Sequence, residues 1–115
     1  MNLGQIAHAI GLENLTAELP LDAAGTVEKA HASDLLSDVL ANAPAGGLLI
    51  TIQVHMNVVA VAVHAGLAAV IFASGMKPPE DVRRKAVEEK VRLFTTREST
   101  FDVAGKLYAQ GLRGK

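Results

Sequence analysis

The stretch that decides the fold is GLLITIQVHMNVVAVAVHAGLAAVIFASG, residues 47–75. Its first part, Gly47 to Gln53, has the length and aliphatic content of a buried strand. Met56 to Ala65 follows with small and apolar residues at helical spacing, and Gly66 is the kind of residue at which a helix commonly ends. Ala68 to Ala73 is a continuous apolar run, which is typical of a parallel strand covered on both faces. The stretch therefore predicts a strand, a crossover helix and a second, parallel strand.

The C-terminal part of the chain continues this alternation. A charged helix is expected from Pro78 to about Lys90, and a strand from Val91 to Thr95. Either Ser99 or Thr100 caps a last helix. Its apolar face is predicted to comprise Phe101, Ala104, Leu107 and Tyr108. The order β-α-β-α-β-α implies a parallel sheet with right-handed crossovers.

The N-terminal part predicts four further elements: a helix over Asn2–Ile10, a short strand over Glu13–Leu19, a strand over Thr26–Ala30, and a helix capped by Ser33. The buried side of that last helix should carry Leu35, Leu36, Val39 and Leu40. We therefore expect a single compact α/β domain over residues 1–115, with a mainly parallel central sheet and helices on both faces. Residues 111–115 are expected to form a flexible tail.

Composition excludes several classes of protein. The chain has 11 basic and 12 acidic residues, without the clustered excess of Lys and Arg that nucleic-acid and membrane-surface binders need. It has no cysteine, which excludes disulfides and thiolate zinc sites and fits a reducing compartment, so we expect a cytoplasmic protein. The first residues lack the basic and long apolar regions of a signal peptide. Polar residues interrupt the apolar stretch from Leu48 to Ala73, so a membrane span is not expected.

Polar side chains follow three of the predicted strands, where each strand leads into a helix. Parallel strands bring such loops to the same edge of the sheet, which is where ligands of open α/β sheets bind. The expected ligand-binding residues are Gln53, His55 and Asn57 in the first loop, Ser74, Gly75 and Lys77 in the second, and Thr96, Arg97, Ser99 and Thr100 in the third.

These loops favour a small anionic ligand. Helix N-termini present free N–H groups and partial positive charge, Gly75 permits close backbone approach, and Lys77 and Arg97 add full charges. The alternative for each loop is ordinary: Ser74 and Ser99 cap helices, and the two cations are solvated. A phosphate, a nucleotide or a carboxylate fits the first interpretation.

Metal and catalytic chemistry are less favoured. His55 and His64 are nine residues apart, so on one helix they would lie about 180° from each other and could not bind one metal together. No histidine pair has the spacing of a helical zinc site, and no cofactor motif is present. Asp34 and Asp38 are either an acid pair or parts of a capped helix start. An enzyme with His55 as general base is the least favoured function, because a base needs a partner that the sequence does not show.

Four blocks of sequence resemble the DRTGG-domain family, in particular its small stand-alone members, which are related to the N-terminal domain of HPr kinase/phosphorylase. The blocks are SDLLSDVLANA (33–43), ITIQVHMNVVAVA (50–62), AAVIFASGMKP (68–78) and LFTTRESTFDVAGKLY (93–108). The Asp-Arg-Thr-Gly-Gly string itself is absent, and Ala73-Ser74-Gly75 stands where Thr-Gly-Gly is often seen.

The resemblance implies a compact α/β domain that self-associates and accompanies CBS pairs and enzymes in a regulatory role. The kinase active site of HPr kinase lies in another domain with a P-loop, which this chain lacks. The leading hypothesis is thus a non-catalytic regulatory domain, a homodimer, that binds a small anion such as an adenine nucleotide. The alternative is a ligand-free interaction module with a protein partner in a signalling or hydrogenase-associated redox assembly. The valines of the predicted helix over residues 56–65 are spread around its circumference. This favours the alternative, because it suggests that the helix is buried on more than one side.

Overall fold

Strands and helices alternate along residues 1–115 in a computed structural model of the chain. The strands are β1 (Glu13–Asn14), β2 (Ala30–Ala32), β3 (Leu48–Thr51), β4 (Ala69–Phe72) and β5 (Arg92–Thr95). The α-helices are α1 (Leu3–Ile10), α2 (Leu36–Asn42), α3 (Met56–Ala65), α4 (Glu80–Glu88) and α5 (Thr100–Ala109). A short 3₁₀ helix covers Asp22–Ala24, within the segment that joins β1 to β2.

The five strands form one sheet in the order β1-β5-β4-β3-β2. Strands β2 to β5 are parallel, and β1 adds an antiparallel edge. The register sets Thr51 beside Phe72 and Phe72 beside Thr95, so β3, β4 and β5 end level with one another. The predicted fold class, a mainly parallel α/β sheet, is confirmed.

Alternate strand residues face two separate cores, because successive side chains of a strand point to opposite faces. Leu48, Ile50 and Ile71 belong to the core on the side of α1 and α5. Leu49, Val70 and Phe72 belong to the core on the other side, where α2, α3 and α4 pack. The prediction of helices on both faces is confirmed. None of the helices combines the length and the apolar content that crossing a membrane requires.

Helices α1 and α3 begin or end at residues with strong capping preferences. Helix α1 begins with a capping box, in which the Asn2 side chain accepts from the N–H of Gln5 and the Gln5 side chain accepts from the N–H of Asn2. Gly11 and Gly66 end α1 and α3 in the left-handed region, at φ of 70° and 67°. The predicted limits of α3, Met56 and Ala65, are confirmed.

Predictions for the segment before β3 were wrong in detail. Strand β2 lies over Ala30–Ala32, later than predicted, and Thr26 only forms an isolated bridge with Asn2. Ser33 does not cap α2: its hydroxyl accepts from the N–H of Leu35, a local turn that delays the helix to Leu36.

The apolar residues of α2 are less buried than the pattern predicted. Leu35 and Leu40 are 64% and 50% exposed, whereas Val39 is fully buried. Leu35 lies before the first helical residue, so it falls off the face that the helical period assigns to it.

Two residues of the segment 111–115, which was predicted as a flexible tail, pack against the rest of the chain: Leu112 and Arg113. Leu112 is buried in the core, and Arg113 donates its backbone N–H to Glu28 and accepts from the N–H of Ala30. These bonds extend the sheet beyond β2, since an edge strand offers unpaired backbone groups.

At the opposite edge of the sheet, the segment after β1 is bonded to β5 through a side chain. Thr16 is fully buried, and its hydroxyl accepts from the backbone N–H of Leu93 at 3.1 Å. Leu15 donates to the carbonyl of Leu93 at 2.9 Å, so both polar backbone groups of Leu93 on this side are satisfied. Only the start of the predicted strand over Glu13–Leu19 has regular pairing.

Replacing Thr16 by Val tests this edge. The substitution conserves shape but leaves the buried N–H of Leu93 without an acceptor, which costs about 1–3 kcal/mol. Urea denaturation should therefore show a lower free energy of unfolding with an unchanged slope. Thr26→Val, at an exposed position, is the control, and equal stability of the Thr16 variant and the wild type would contradict the assignment.

Candidate functional site

Two loops at the carboxyl edge of the sheet are bonded together. The N–H groups of Ser74 and Gly75 donate to the carbonyls of Glu98 and Thr96, at 2.7 and 2.8 Å. The buried hydroxyl of Thr95 donates to the carbonyl of Met76 at 2.7 Å. Ser74 and Gly75 have φ of 58° and 71°, a left-handed pair that turns the chain back toward β5. The β4–α4 and β5–α5 loops thus form one platform.

A cavity of about 580 Å³ lies beside this platform, between the end of α1, strand β1 and helix α5. Its lining is almost wholly polar, and Ile10 is the single apolar residue in it. The lining residues are Ile10, Gly11, Glu13, Gly75, Lys77, Thr95, Thr96, Arg97, Glu98 and Lys106.

Three cations and two carboxylates face the cavity. Lys77 Nζ lies 3.2 Å from Glu13 Oε2, and Lys106 Nζ lies 2.6 Å from Glu98 Oε1. Arg97 is exposed and forms no ion pair or side-chain hydrogen bond within the chain. The lining carries one positive charge in excess, and the guanidinium that is not neutralised can receive an anion.

The structure brings four of the ten predicted ligand-binding residues to this cavity: Gly75, Lys77, Thr96 and Arg97. Gly75 shapes the turn, but its N–H already donates to Thr96, so side chains rather than backbone amides are available for an anion here.

The other residues of these two loops have local roles. Ser74 lies in the turn, and Ser99 caps α5 by accepting from the N–H of Asp102 at 3.1 Å. Neither Ser74, Ser99 nor Thr100 lines the cavity. The ordinary alternative, helix capping, thus describes Ser99.

Residues of the first loop lie elsewhere. Gln53, His55 and Asn57 form no side-chain hydrogen bond within the chain and do not line the cavity. His55 is the residue before α3, on the face of the sheet opposite α1 and α5. The cavity is lined by residues of β1 and β5, and strand β3 is separated from β5 by β4. The strand order therefore separates the residues of the first loop from those of the second and third loops.

The cavity lining also includes three residues that the sequence did not predict: Glu13, Glu98 and Lys106. Glu13 reaches the cavity because β1 pairs antiparallel with β5 and sets Glu13 beside Thr95. A strand of two residues is too short for its register to be predicted from the sequence. The position of Lys106 could have been predicted from the sequence. It follows the cap Ser99 by seven residues, about two helical turns, so it lies on the same side of α5 as the β5–α5 loop.

A second polar group surrounds Asp38 at the end of β2. His31 Nε2 lies 2.8 Å from Asp38 Oδ2, and Asn42 donates to Asp38 Oδ1 at 2.8 Å. Hydrogen bonds from Asn42, His31 and Ser33 lower the pKa of Asp38 to about 2.

Asp34 is engaged differently. One of its carboxylate oxygens accepts from the hydroxyl of Thr51 and from the N–H of Ile52, each at 2.9 Å. The two acids thus have separate structural partners, which argues against a paired active-site role and ties the chain after β2 to the end of β3.

The lowered pKa of Asp38 predicts acid sensitivity. The pKa of Asp38 is about 2 in the folded state and 3.8 ordinarily. The ionised carboxylate therefore contributes fully to the free energy of unfolding above pH 3.8, and this contribution is lost as the pH falls toward 2. Asp38→Asn should flatten the pH dependence of the unfolding free energy in this window, measured by urea denaturation. Asp22→Asn is a control at an exposed acid; identical pH profiles for wild type and Asp38→Asn would contradict the assignment.

Comparison with solved structures shows which fold the chain has. No family model and no curated protein matches the chain. A similar solved structure contains the CBS and DRTGG domains of the regulatory region of Clostridium perfringens pyrophosphatase, complexed with its activator, diadenosine tetraphosphate. The TM-score is 0.71 at 16% identity, over 96% of this chain and 46% of that chain. The chain thus spans slightly less than half of that structure, and the likeness confirms the predicted DRTGG-like fold.

Proposed function

We propose that the chain is a cytoplasmic, non-catalytic regulatory domain that senses a small anionic ligand, such as an adenine nucleotide, and self-associates. The convergence of Lys77, Arg97 and Lys106 on one cavity carries this proposal. The regulatory region of the pyrophosphatase that shares this fold is complexed with an activator that is itself a nucleotide, which supports the same class of ligand here.

The composition of the cavity favours recognition of phosphate groups. Its volume falls within the range of about 300–1,000 Å³ that small-molecule sites have. Such sites usually hold bases or rings against apolar walls, but here Ile10 alone is apolar. The cations would therefore contact phosphate oxygens, and a base would extend toward the open mouth of the cavity.

Glu13 and Glu98 act as internal counterions in this proposal. The Lys77–Glu13 pair is more than half exposed on both sides, at 57% and 59%, so it is easily exchanged. Exposed pairs contribute about 0.2–1 kcal/mol, whereas a hydrogen bond to a charged group contributes about 1.5–3 kcal/mol. A phosphate that carries two charges would displace the glutamates and recruit Arg97 at the same time.

The non-catalytic assignment is supported by the position of His55. This histidine lies outside the cavity and forms no side-chain hydrogen bond within the chain that would orient it as a general base. The cavity itself contains no histidine, so an acid–base role would have to be taken by Glu13 or Glu98, both already paired with lysines.

The alternative function is a ligand-free interaction module in a signalling or redox assembly. Exposed apolar side chains favour it: Phe101 and Tyr108 on α5, and Met56 and Val63 on α3. Both functions require a contact surface, and they differ in whether the charged cavity is used.

Titration with a nucleotide panel separates the two functions. Isothermal calorimetry with inorganic phosphate, AMP, ATP and diadenosine tetraphosphate should detect binding to the wild type. Lys77→Ala combined with Arg97→Ala should weaken that binding by roughly 100-fold or more, since two charge-assisted contacts of about 1.5–3 kcal/mol each are lost.

The matched control removes two positive charges, one Arg and one Lys, from α4. Arg84→Ala combined with Lys85→Ala alters the net charge equally at exposed positions outside the cavity. Equal weakening by both pairs would indicate a general charge effect, and absence of binding by the wild type would favour the interaction module.

Glu13→Gln tests the internal counterion. Removing the carboxylate frees Lys77, so anion binding should tighten by about 1.5- to 5-fold, in proportion to an exposed ion pair. The same titrations measure this change, and Glu28→Gln is an exposed control outside the cavity. Weaker binding by Glu13→Gln would mean that the glutamate supports the ligand.

A further inference from the structure

The buried hydroxyl of Thr96 has a proton for which its own chain provides no acceptor. Thr96 lines the charged cavity and is only 9% exposed. Its hydroxyl oxygen accepts from the N–H of Glu98 at 3.3 Å, and the hydroxyl donates to no group of the chain. The neighbouring hydroxyl of Thr95 differs, because it donates to the carbonyl of Met76. Since an unpaired buried donor is costly, Thr96 favours a ligand that brings an acceptor into the cavity.

The cations of the cavity are more exposed than Thr96. The side chains of Lys77 and Lys106 are 57% and 47% exposed, and Arg97 is exposed as well. The cavity therefore has a neutral donor at its floor and positive charges around its rim. A phosphate group carries several strong acceptor oxygens, so one group can accept from Thr96 and from the adjacent Arg97 at the same time.

The two lysines occupy separate positions on the rim. Lys77, in the β4–α4 loop, pairs with Glu13 on β1, and Lys106, in α5, pairs with Glu98. Lys77 forms no ion pair with Glu98, and Lys106 forms none with Glu13. The cavity thus offers two distinct ammonium positions in addition to the guanidinium of Arg97.

The positive charge of the cavity exceeds the negative charge of one phosphate group. Three cations remain to be neutralised once a ligand has displaced both glutamates. A single phosphate group brings about 1.5 to 2 negative charges at pH 7. A second, linked phosphate supplies the further negative charge and extends the ligand toward the second ammonium.

We propose that the cavity recognises a diphosphate group, either as inorganic diphosphate or as the diphosphate of a nucleotide. This inference names the ligand class of the proposed function and rests on it. One phosphate accepts from Thr96 at the floor and from Arg97 above it. Lys77 and Lys106, released from their glutamates, bind the two phosphates separately.

The number of donors also favours phosphate over carboxylate. Each lysine ammonium has three donors and the guanidinium of Arg97 has five, in addition to the one donor of Thr96. A carboxylate offers two oxygens to these groups, whereas a terminal phosphate offers three and a diphosphate offers more.

Calorimetric titration at constant ionic strength, without divalent cations, tests the inference. Inorganic diphosphate should bind the wild type at least roughly 10-fold tighter than inorganic phosphate, because one more charge-assisted contact is made. ADP should exceed AMP by a similar factor. Tighter binding of ADP than of inorganic diphosphate would identify a nucleotide as the source of the group, and equal affinity would identify diphosphate itself.

Single lysine variants test the two positions. Lys77→Ala and Lys106→Ala should each weaken diphosphate binding by roughly 10-fold or more and remove most of the preference for diphosphate over phosphate. Lys85→Ala is the matched control, because Lys85 also pairs with a glutamate, Glu89, but lies on α4 outside the cavity. It should leave the preference unchanged.

Two substitutions of Thr96 test the donor at the floor. Thr96→Val removes the hydroxyl and should weaken both phosphate and diphosphate by roughly 10-fold or more, whereas Thr96→Ser keeps the hydroxyl and should bind like the wild type. Urea denaturation of both variants measures the loss of the hydrogen bond from Glu98 separately. Undiminished binding by a folded Thr96→Val variant would overturn the contact at the floor.

The outcomes separate this inference from the proposed function. A wild type that binds phosphate and diphosphate with equal affinity overturns the diphosphate assignment and retains anion sensing. The same holds if Lys85→Ala lowers the preference as much as Lys106→Ala does, since the effect would then be one of general charge. Absence of binding by every one of these anions overturns both.

Discussion

The pairing of β4 with β5 continues past the ends of both strands, and the arrangement of the cavity depends on this continuation. Thr96 donates to the carbonyl of Phe72 at 3.0 Å, and the N–H groups of Ser74 and Gly75 return hydrogen bonds to the β5–α5 loop. Two loops that would otherwise be independent are thereby held in one geometry. Lys77 and Arg97 come from different loops, and backbone hydrogen bonds hold the two side chains near each other against the repulsion between like charges.

The charges themselves are balanced in a way that suits reversible binding. Lysines that faced an empty cavity alone would repel one another, and Glu13 and Glu98 remove that repulsion. Because the ion pairs are partly exposed, solvent screening keeps them weak. Arg97 remains without a carboxylate, and a guanidinium presents donors in a planar fork that matches phosphate. In the proposed function, Arg97 would receive one anion, and the two lysines would exchange their glutamates for it.

The sequence predicts the structure correctly where a local rule determines it. Helix α3 is predicted to the residue because Gly66 ends it and buried strands flank it on both sides. The predictions are wrong where tertiary context decides between local alternatives. Ser33 has the chemistry of a cap, but its hydroxyl forms a turn with Leu35 instead. Glu13 enters the cavity through an antiparallel pairing of two residues, which has no periodicity to detect. The three loops were correctly expected at one edge of the sheet, yet the position of each loop along that edge depends on strand order.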